Sequence, residues 1–508
     1  IERDAAARLP AGDPGLMARA GAAAWRRARA RWPEARRIAV CAGPGNNGGD
    51  GYVVARLARE AGCEVVVLAN GAPRADDARA AAQAWTGETR PWSAAGDALA
   101  TADLVVDAMF GIGLARDPDS DAAALIAALN AARGAKLALD VPSGLDADRG
   151  HAHAPCVRAD LTVTFLAHKR GLWTGDAFDV RGDLVLETLG VATPASSGAK
   201  LLDAGIARVL LPRRAPSTHK GRVGHVLVVG GARGLGGAAL LAAEAAARAG
   251  AGLVSLATDA AHVAAALARR PELMAFDAGD PSRCNDAIGR ATWLVVGPGL
   301  GQGEWGAGLL ARALAAGKPA VLDADALNRL AAASRTLPSG CVLTPHPGEA
   351  ARLLGSDVAA VQRDRCAAAL AIAGRHGAVV VLKGAGTVVA SPDGALAIGG
   401  RSGEDIAATI ERGSRCRNRE QHAPLVALER SSAPLTQPRP ATRRGSPAQK
   451  AVPEGPGVVL AQRQDHPQLR AHLRRALGHA AHLHVGHAVR AQLVNGDDHH
   501  QLADADAH

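Results

Sequence analysis

Arg37-Ile-Ala-Val-Cys-Ala42 runs directly into Gly43-Pro-Gly-Asn-Asn-Gly-Gly-Asp-Gly51, and the fold turns on how this stretch is read. A short apolar run ends in a glycine loop. Tyr52 to Ala61 then reads as a helix and Glu64-Val-Val-Val-Leu68 as a second strand. Strand, loop, helix, strand is a βαβ unit, and near-continuous apolar runs are what strands covered on both faces look like.

The pattern repeats outward from there. Upstream, Leu16, Met17, Ala20, Ala23 and Ala24 recur at helical spacing over 15–32. Downstream, Asp103-Leu-Val-Val-Asp107 reads as a strand, 121–133 as a helix, and Lys136-Leu-Ala-Leu-Asp140 and Asp160-Leu-Thr-Val-Thr164 as further strands. This alternation predicts a doubly wound, mostly parallel α/β sheet. A stretch rich in Ala, Ser, Pro and Arg over 190–218 breaks the series. A second series follows: Val223-Gly-His-Val-Leu-Val-Val229, the loop Gly230–Gly237, an Ala-rich helix, and strands at 252–257, 293–296, 320–322, 342–343 and 378–382. The expectation is two doubly wound domains, 1–204 and 205–398. After Ile398 the alternation stops and Arg, His, Gln and Pro rise. Residues 399–508 read as an atypical tail, disordered or non-native, for which a shift of reading frame is one origin.

Composition agrees with α/β packing. Of 508 residues 48% are hydrophobic but only 2% aromatic, so Ala, Val and Leu fill the cores. The formal charge is +9, with much of the excess in Arg26, Arg27, Arg29, Arg31, Arg36 and Arg37 and in the tail. Trp32 alone stands among these arginines and no aromatic interleaving suggests base stacking, so a solvated helix face is expected and no nucleic-acid partner. Seven cysteines, odd in number and without C-x-x-C spacing, suggest neither a disulfide framework nor a zinc site. A reducing compartment follows. No apolar run of 18 or more residues predicts a membrane span and no signal peptide is read, which points to the cytoplasm. The sequence leaves assembly into a homo-oligomer open.

Gly43-x-Gly45-x-x-Gly48 formally matches a dinucleotide-binding fingerprint, but that motif alone is weak. Leu68 is followed by Ala69 and Asn70, so the usual ribose-binding carboxylate is missing, and no Gly-Lys-Ser/Thr makes the loop a P-loop. Asn46, Asn47 and Asp50 occupy it instead. Backbone amides at a helix N-terminus can hold a phosphate, and side-chain oxygens can hold a cation or a polar substrate. A tight strand-to-helix turn with capping residues is the competing reading.

This loop resembles that of the NAD(P)H-hydrate epimerase domain, the YjeF N-terminal family. Asp103-Leu-Val-Val-Asp-Ala-Met-Phe-Gly-Ile-Gly-Leu114 resembles the family's second loop and Asp140-Val-Pro-Ser-Gly-Leu-Asp146 its third. The resemblance implies a Rossmann-like fold and a potassium ion held by Asn47, Asp107 and Ser143. It places the hydrated dinucleotide against Asn46, Asn47, Gly48, Gly49 and Asp50, and against Gly111, Ile112, Gly113, Leu114, Ala115, Arg116 and Asp117. Asp140 is the expected acid–base residue beside the substrate, with a helix or turn cap as its competing role.

From His219 to Ile398 the chain resembles the ADP/ATP-dependent NAD(P)H-hydrate dehydratases, of ribokinase-like fold. The landmarks are His219-Lys-Gly221, Gly230–Gly237, Gly297-Pro-Gly-Leu-Gly301, Asp323-Ala-Asp-Ala-Leu327, Thr344-Pro-His-Pro-Gly-Glu349 and Leu382-Lys-Gly-Ala-Gly-Thr387. By that resemblance Ala238, Gly301 and His346 contact the hydrate. Lys383, Gly384, Ala385, Gly386 and Thr387 contact ADP or ATP, carried with Mg2+. The family's Gly-x-Gly-Asp, a phosphate-holding helix start with its base, does not occur after Thr387, and Gly403-Glu-Asp405 lacks its glycine pair. Repair of hydrated NAD(P)H is therefore expected, with the dehydration step in doubt. A ribokinase-like small-molecule kinase remains an alternative, although Thr344–Glu349 with Gly297–Gly301 favours the dehydratase. So does a second half that binds nucleotide without catalysis.

Overall fold

The computed structural model describes Asp13 and residues 15–114, 116–191, 198–202, 214–333 and 336–400. Ala115 and almost all of the expected tail, from residue 401 onward, lie outside the described residues.

The first sheet takes seven strands: β1 (Arg37–Ala42), β2 (Glu64–Ala69), β3 (Glu88–Arg90), β4 (Leu104–Ala108), β5 (Ala135–Leu139), β6 (Leu161–Phe165) and β7 (Asp183–Glu187). Their order is β3-β2-β1-β4-β5-β6-β7, and every neighbouring pair is parallel. β1, β4 and β6 are buried along most or all of their length, as parallel strands covered on both faces are, and Asp107 in β4 and Thr162 and Thr164 in β6 are buried with the apolar residues. The order reverses between β1 and β4. In such sheets the ligand crevice opens at that switch point, beyond the carboxyl ends of the strands.

The second sheet takes β8 (Lys200–Leu202), β9 (His225–Val229), β10 (Leu253–Thr258), β11 (Met274–Asp277), β12 (Trp293–Val296), β13 (Ala320–Leu322), β14 (Val342–Leu343), β15 (Val379–Leu382), β16 (Val388–Ala390) and β17 (Leu396–Gly399). Its order is β11-β10-β9-β12-β13-β14-β15-β16-β17-β8. It switches between β9 and β12, and β16 and β17 run as an antiparallel meander. The crossing from one sheet to the other lies between Glu187 and Lys200.

One element begins earlier than the sequence suggests. The helix expected from Tyr52 starts at Asn46 and runs to Glu60, so the asparagines and the second glycine pair form its first turns rather than a loop. Glycines cost helix stability where a helix stands alone. Here the turn is packed against the β1 and β4 loops, which no residue with a Cβ at Gly48 could approach, since that Cβ would lie 1.9 Å from the Gly43 carbonyl oxygen. The expected arginine face is present. Arg27 and Arg26 reach Glu187 at 2.5 and 3.7 Å and Arg31 reaches Asp183 at 3.2 Å, tying the helix Gly15–Arg31 to the edge strand β7. The six described cysteines are all unpaired. Among the described residues no helix is long and apolar enough to cross a membrane.

Candidate active sites

In the first sheet three loops leave the carboxyl ends of β1, β4 and β5 and meet. Gly43 donates its N–H to Ala108 at 3.0 Å, joining the first two. Asp107, fully buried at the end of β4, joins the second and third. Its Oδ2 accepts from the Ser143 N–H at 2.7 Å, and its Oδ1 from the Ser143 hydroxyl at 2.6 Å and the Met109 N–H at 3.2 Å. Phe110 N–H in turn donates to Ser143 Oγ at 2.9 Å. Burial pushes the Asp107 carboxyl up to about 6 in spite of these donors. Asn47 donates its amide to the Phe110 carbonyl at 2.9 Å. Its Oδ1 is buried and, among the described residues, has no hydrogen-bond partner. An orphaned buried amide oxygen beside a carboxylate, a hydroxyl and a carbonyl is a set of hard oxygen donors that suits an alkali cation.

Asp140 follows β5 in a left-handed backbone conformation, φ 63°, that turns its side chain across the crevice. Its Oδ1 accepts from Thr164 Oγ1 at 3.2 Å, the Phe165 N–H at 3.2 Å and the Lys169 ammonium. Its other oxygen faces the second loop: a Cβ on Gly111 would lie 3.5 Å from Asn47 Cβ and 3.9 Å from Asp140 Oδ2. One carboxylate oxygen is thus held by three donors while the second is presented beside Gly111. Around this point Asn46 is exposed and Asn47, Gly48 and Gly49 are buried in the helix start, with Asp50 half-buried beyond them. Ile112 is 51% exposed, an apolar side chain offered to solvent at the rim. Arg116 is exposed, and Asp117 pairs with His153 Nδ1 at 2.7 Å.

The second sheet repeats the arrangement at its own switch point. Gly231 and Ala232 donate to the carbonyls of Pro298 and Gly299 at 3.0 and 2.7 Å, so the loops after β9 and β12 form one cradle. Ala238, in the first turn of the helix Gly236–Arg248, abuts Gly299. Gly301 donates to Asp325 at 2.8 Å. His346 caps the helix Pro347–Leu354: its Nδ1 accepts from Gly348 and Glu349 N–H at 2.9 and 3.3 Å. An accepting Nδ1 leaves the ring proton on Nε2, and burial lowers the imidazole below its ordinary range. Glu349 is buried, and burial raises its carboxyl above the usual range. Lys383, expected to offer its charge to a phosphate, is ion-paired with Asp323 at 2.8 Å and stands 4.0 Å from Glu349.

Comparison with known proteins decides what these sites belong to. Residues 14–171 match the family model of the YjeF-related protein N-terminus, and 226–408 match that of the NAD(P)H-hydrate dehydratases. The bifunctional NAD(P)H-hydrate repair enzyme Nnr of Coxiella burnetii is 45% identical over 381 residues, 74% of this chain and 78% of that protein. The enzyme of the same name from Escherichia coli is 42% identical over 396 residues, 75% of each. The chain belongs to the bifunctional NAD(P)H-hydrate repair enzymes. Its second domain is also similar to the ADP/ATP-dependent NAD(P)H-hydrate dehydratase of Bacillus subtilis co-crystallised with ATP/Mg2+: 32% identity, 40% of this chain and 72% of that one, TM-score 0.36. The dehydratase model extends ten residues past Ile398 and takes in Gly403-Glu-Asp405.

Two residues at the repair enzyme's first site escaped the sequence reading. Lys169 and Thr164 stand at and just after the end of β6 and both bond Asp140. The signal was available. Asp160–Thr164 already read as a strand, and in a parallel sheet any titratable residue just past a strand's carboxyl end faces the ligand crevice.

Proposed function

We propose that the first domain interconverts the R and S epimers of hydrated NADH or NADPH, and that the second, which the chain enters between Glu187 and Lys200, binds ADP or ATP with Mg2+ against the S epimer without turning it over. The observation that carries this is the meeting of the β1, β4 and β5 loops around Asp140, one oxygen of which is fixed and the other open toward Gly111. At the epimerised carbon a hydroxyl and a ring nitrogen share one centre. Removing the hydroxyl proton lets the carbon–oxygen double bond form as the bond to nitrogen breaks, and the nitrogen takes up a proton. Closure on the other face reverses both transfers. Asp140 is placed to receive and return the hydroxyl proton, and Lys169 and Thr164 hold it in position.

Asn47, Asp107 and Ser143 would hold a potassium ion, whose charge offsets the Asp107 carboxylate and favours the dinucleotide's phosphates nearby. Potassium chloride should then raise the melting temperature above that in choline chloride of equal ionic strength. At ~100 times its dissociation constant a ligand adds about 2.7 kcal/mol, and ~1 kcal/mol is worth about 2–4 °C for a domain of this size. Asn47→Ala should erase the difference; an unchanged difference in that variant would remove Asn47 from the ion site.

The reading is tested with the purified chain and the R epimer of hydrated NADH, separated by chromatography. The S epimer should form without nucleotide. The missing Gly-x-Gly-Asp favours a second domain that binds nucleotide without turnover, so ADP and Mg2+ should regenerate little or no NADH. Full dehydration would show that other groups replace that motif. Absence of the S epimer would overturn the epimerase reading.

A further inference from the structure

The loop assigned to the adenine nucleotide is not built by the second domain alone. Trp173, Thr174 and Gly175 follow the first domain's β6 and press against it. Gly175 N–H donates to the Ala385 carbonyl at 3.1 Å. Thr174 Oγ1 lies 3.2 Å from the Gly386 carbonyl and 3.4 Å from that of Ala385. Gly386 sits at φ 63°, and a Cβ on it would fall 1.8 Å from the Trp173 carbonyl oxygen, so the two backbones touch where the loop bends.

Behind this contact lies Arg365, only 1% exposed at the start of the helix Arg365–His376. Its Nε donates to Thr174 Oγ1 at 3.1 Å, its Nη1 to Gln362 Oε1 at 2.6 Å, and its Nη2 to the carbonyls of Lys383 and Leu382 at 3.0 and 3.4 Å. All of these acceptors are neutral. Burial brings the guanidinium down only to about 10, so it stays charged. A buried cation without a carboxylate among its hydrogen-bond partners is costly, and the cost falls only if every acceptor is held in place. Thr174 is the acceptor that comes from the other domain. Its hydroxyl accepts from Arg365 and has one proton to give to the loop, so it relays the guanidinium to the carbonyls of 385 and 386. Carbonyls tied to donors are not free to face a phosphate, and a fixed positive charge behind a loop favours an anion in front of it.

We propose that Thr174 and Arg365 are positioning residues for the nucleotide loop, so that the first domain completes the adenine-nucleotide site of the second. This rests on the reading of Lys383–Thr387 as the nucleotide contact. The test uses calorimetric titration of the full chain with ADP and Mg2+, alongside its epimerisation rate. Thr174→Val removes the relay while keeping the shape. Loss of a hydrogen bond to a charged group should weaken ADP binding about tenfold. Epimerisation should not change, and Thr174→Ser should restore binding to within about twofold. Ala385→Glu, on an exposed residue of the loop, reports on the loop itself through charge repulsion. If Ala385→Glu weakens ADP binding and Thr174→Val does not, the loop holds nucleotide unaided and the inference fails alone. If neither variant changes binding, or the wild-type chain binds no ADP, the nucleotide reading of the loop fails and takes the inference with it. Equal losses of ADP binding and epimerisation in Thr174→Val would reduce the hydroxyl to a structural tie. Should that variant not fold, Gln362→Leu frees one Arg365 nitrogen from the exposed side and should weaken ADP binding about threefold, no change again overturning the proposal.

Discussion

Asp140→Asn should abolish epimerisation while leaving the site assembled. A positioned acid–base group contributes ~10²–10⁴-fold, so the turnover number should fall about a thousandfold with KM within a few-fold of wild type. Asparagine is the right replacement for a structural reason. Position 140 holds φ 63°, a conformation that asparagine tolerates better than alanine does. The asparagine side chain would also keep an acceptor for the Phe165 N–H and the Thr164 hydroxyl. Alanine would mix lost chemistry with backbone strain. Binding of the hydrate, followed by its protection of the first domain against thermal unfolding, should persist in Asp140→Asn. A variant that turns over normally would remove Asp140 from the chemistry and leave it a turn residue. One that neither binds nor turns over would make it part of the binding wall.

Gly43→Ala should unfold the site from its base. The added methyl would stand 1.8 Å from the Met109 carbonyl oxygen and 2.7 Å from its carbon, both backbone atoms of the β4 loop. No side chain can rotate out of the way. Relief requires parting the β1 and β4 loops, which also share the Gly43–Ala108 hydrogen bond and carry Asn47 and Gly111. Overpacking of this kind costs ~3 kcal/mol or more. At about 2–4 °C per kcal/mol the melting temperature should fall by roughly 6–12 °C, with epimerisation lost alongside. Gly45→Ala is the control. Its Cβ would meet nothing within 4 Å and its φ of −94° suits any residue, so melting should stay within about 2 °C of wild type. Equal melting of the two variants would show that the loops do not need to touch.

Much of the architecture was legible because it is written in local pattern. Apolar runs at β1, β9, β12 and β15 are near-continuous, and those at β4 and β6 are broken only by Asp107 and by Thr162 and Thr164, as strands covered on both faces are expected to read. The short strands β3, β7, β8, β11, β16 and β17 were not read. They take their place from pairing with distant partners, as when β8 closes the far edge of the second sheet beside β17, and pairing leaves little local trace. The helix start at Asn46 was placed six residues late, since glycine weighs against helix until the packing that rewards it is known.

The candidate sites divide along the same line. By itself the sequence, through three motifs that resemble a known family, pointed to the three loops and to Asn47, Asp107, Asp140 and Ser143 as candidates, and the loops that carry them meet at the carboxyl ends of β1, β4 and β5. It also determined that the second half lacks Gly-x-Gly-Asp. Only the tertiary structure decided that Lys169 bonds Asp140, that Lys383 is paired with Asp323, and that Arg365 and Thr174 join the two domains behind the Lys383–Thr387 loop. Arg365 and Thr174 lie 191 residues apart. Nothing in the spacing or type of either residue signals the other, because a hydrogen bond between domains exists only once both sheets have folded and docked.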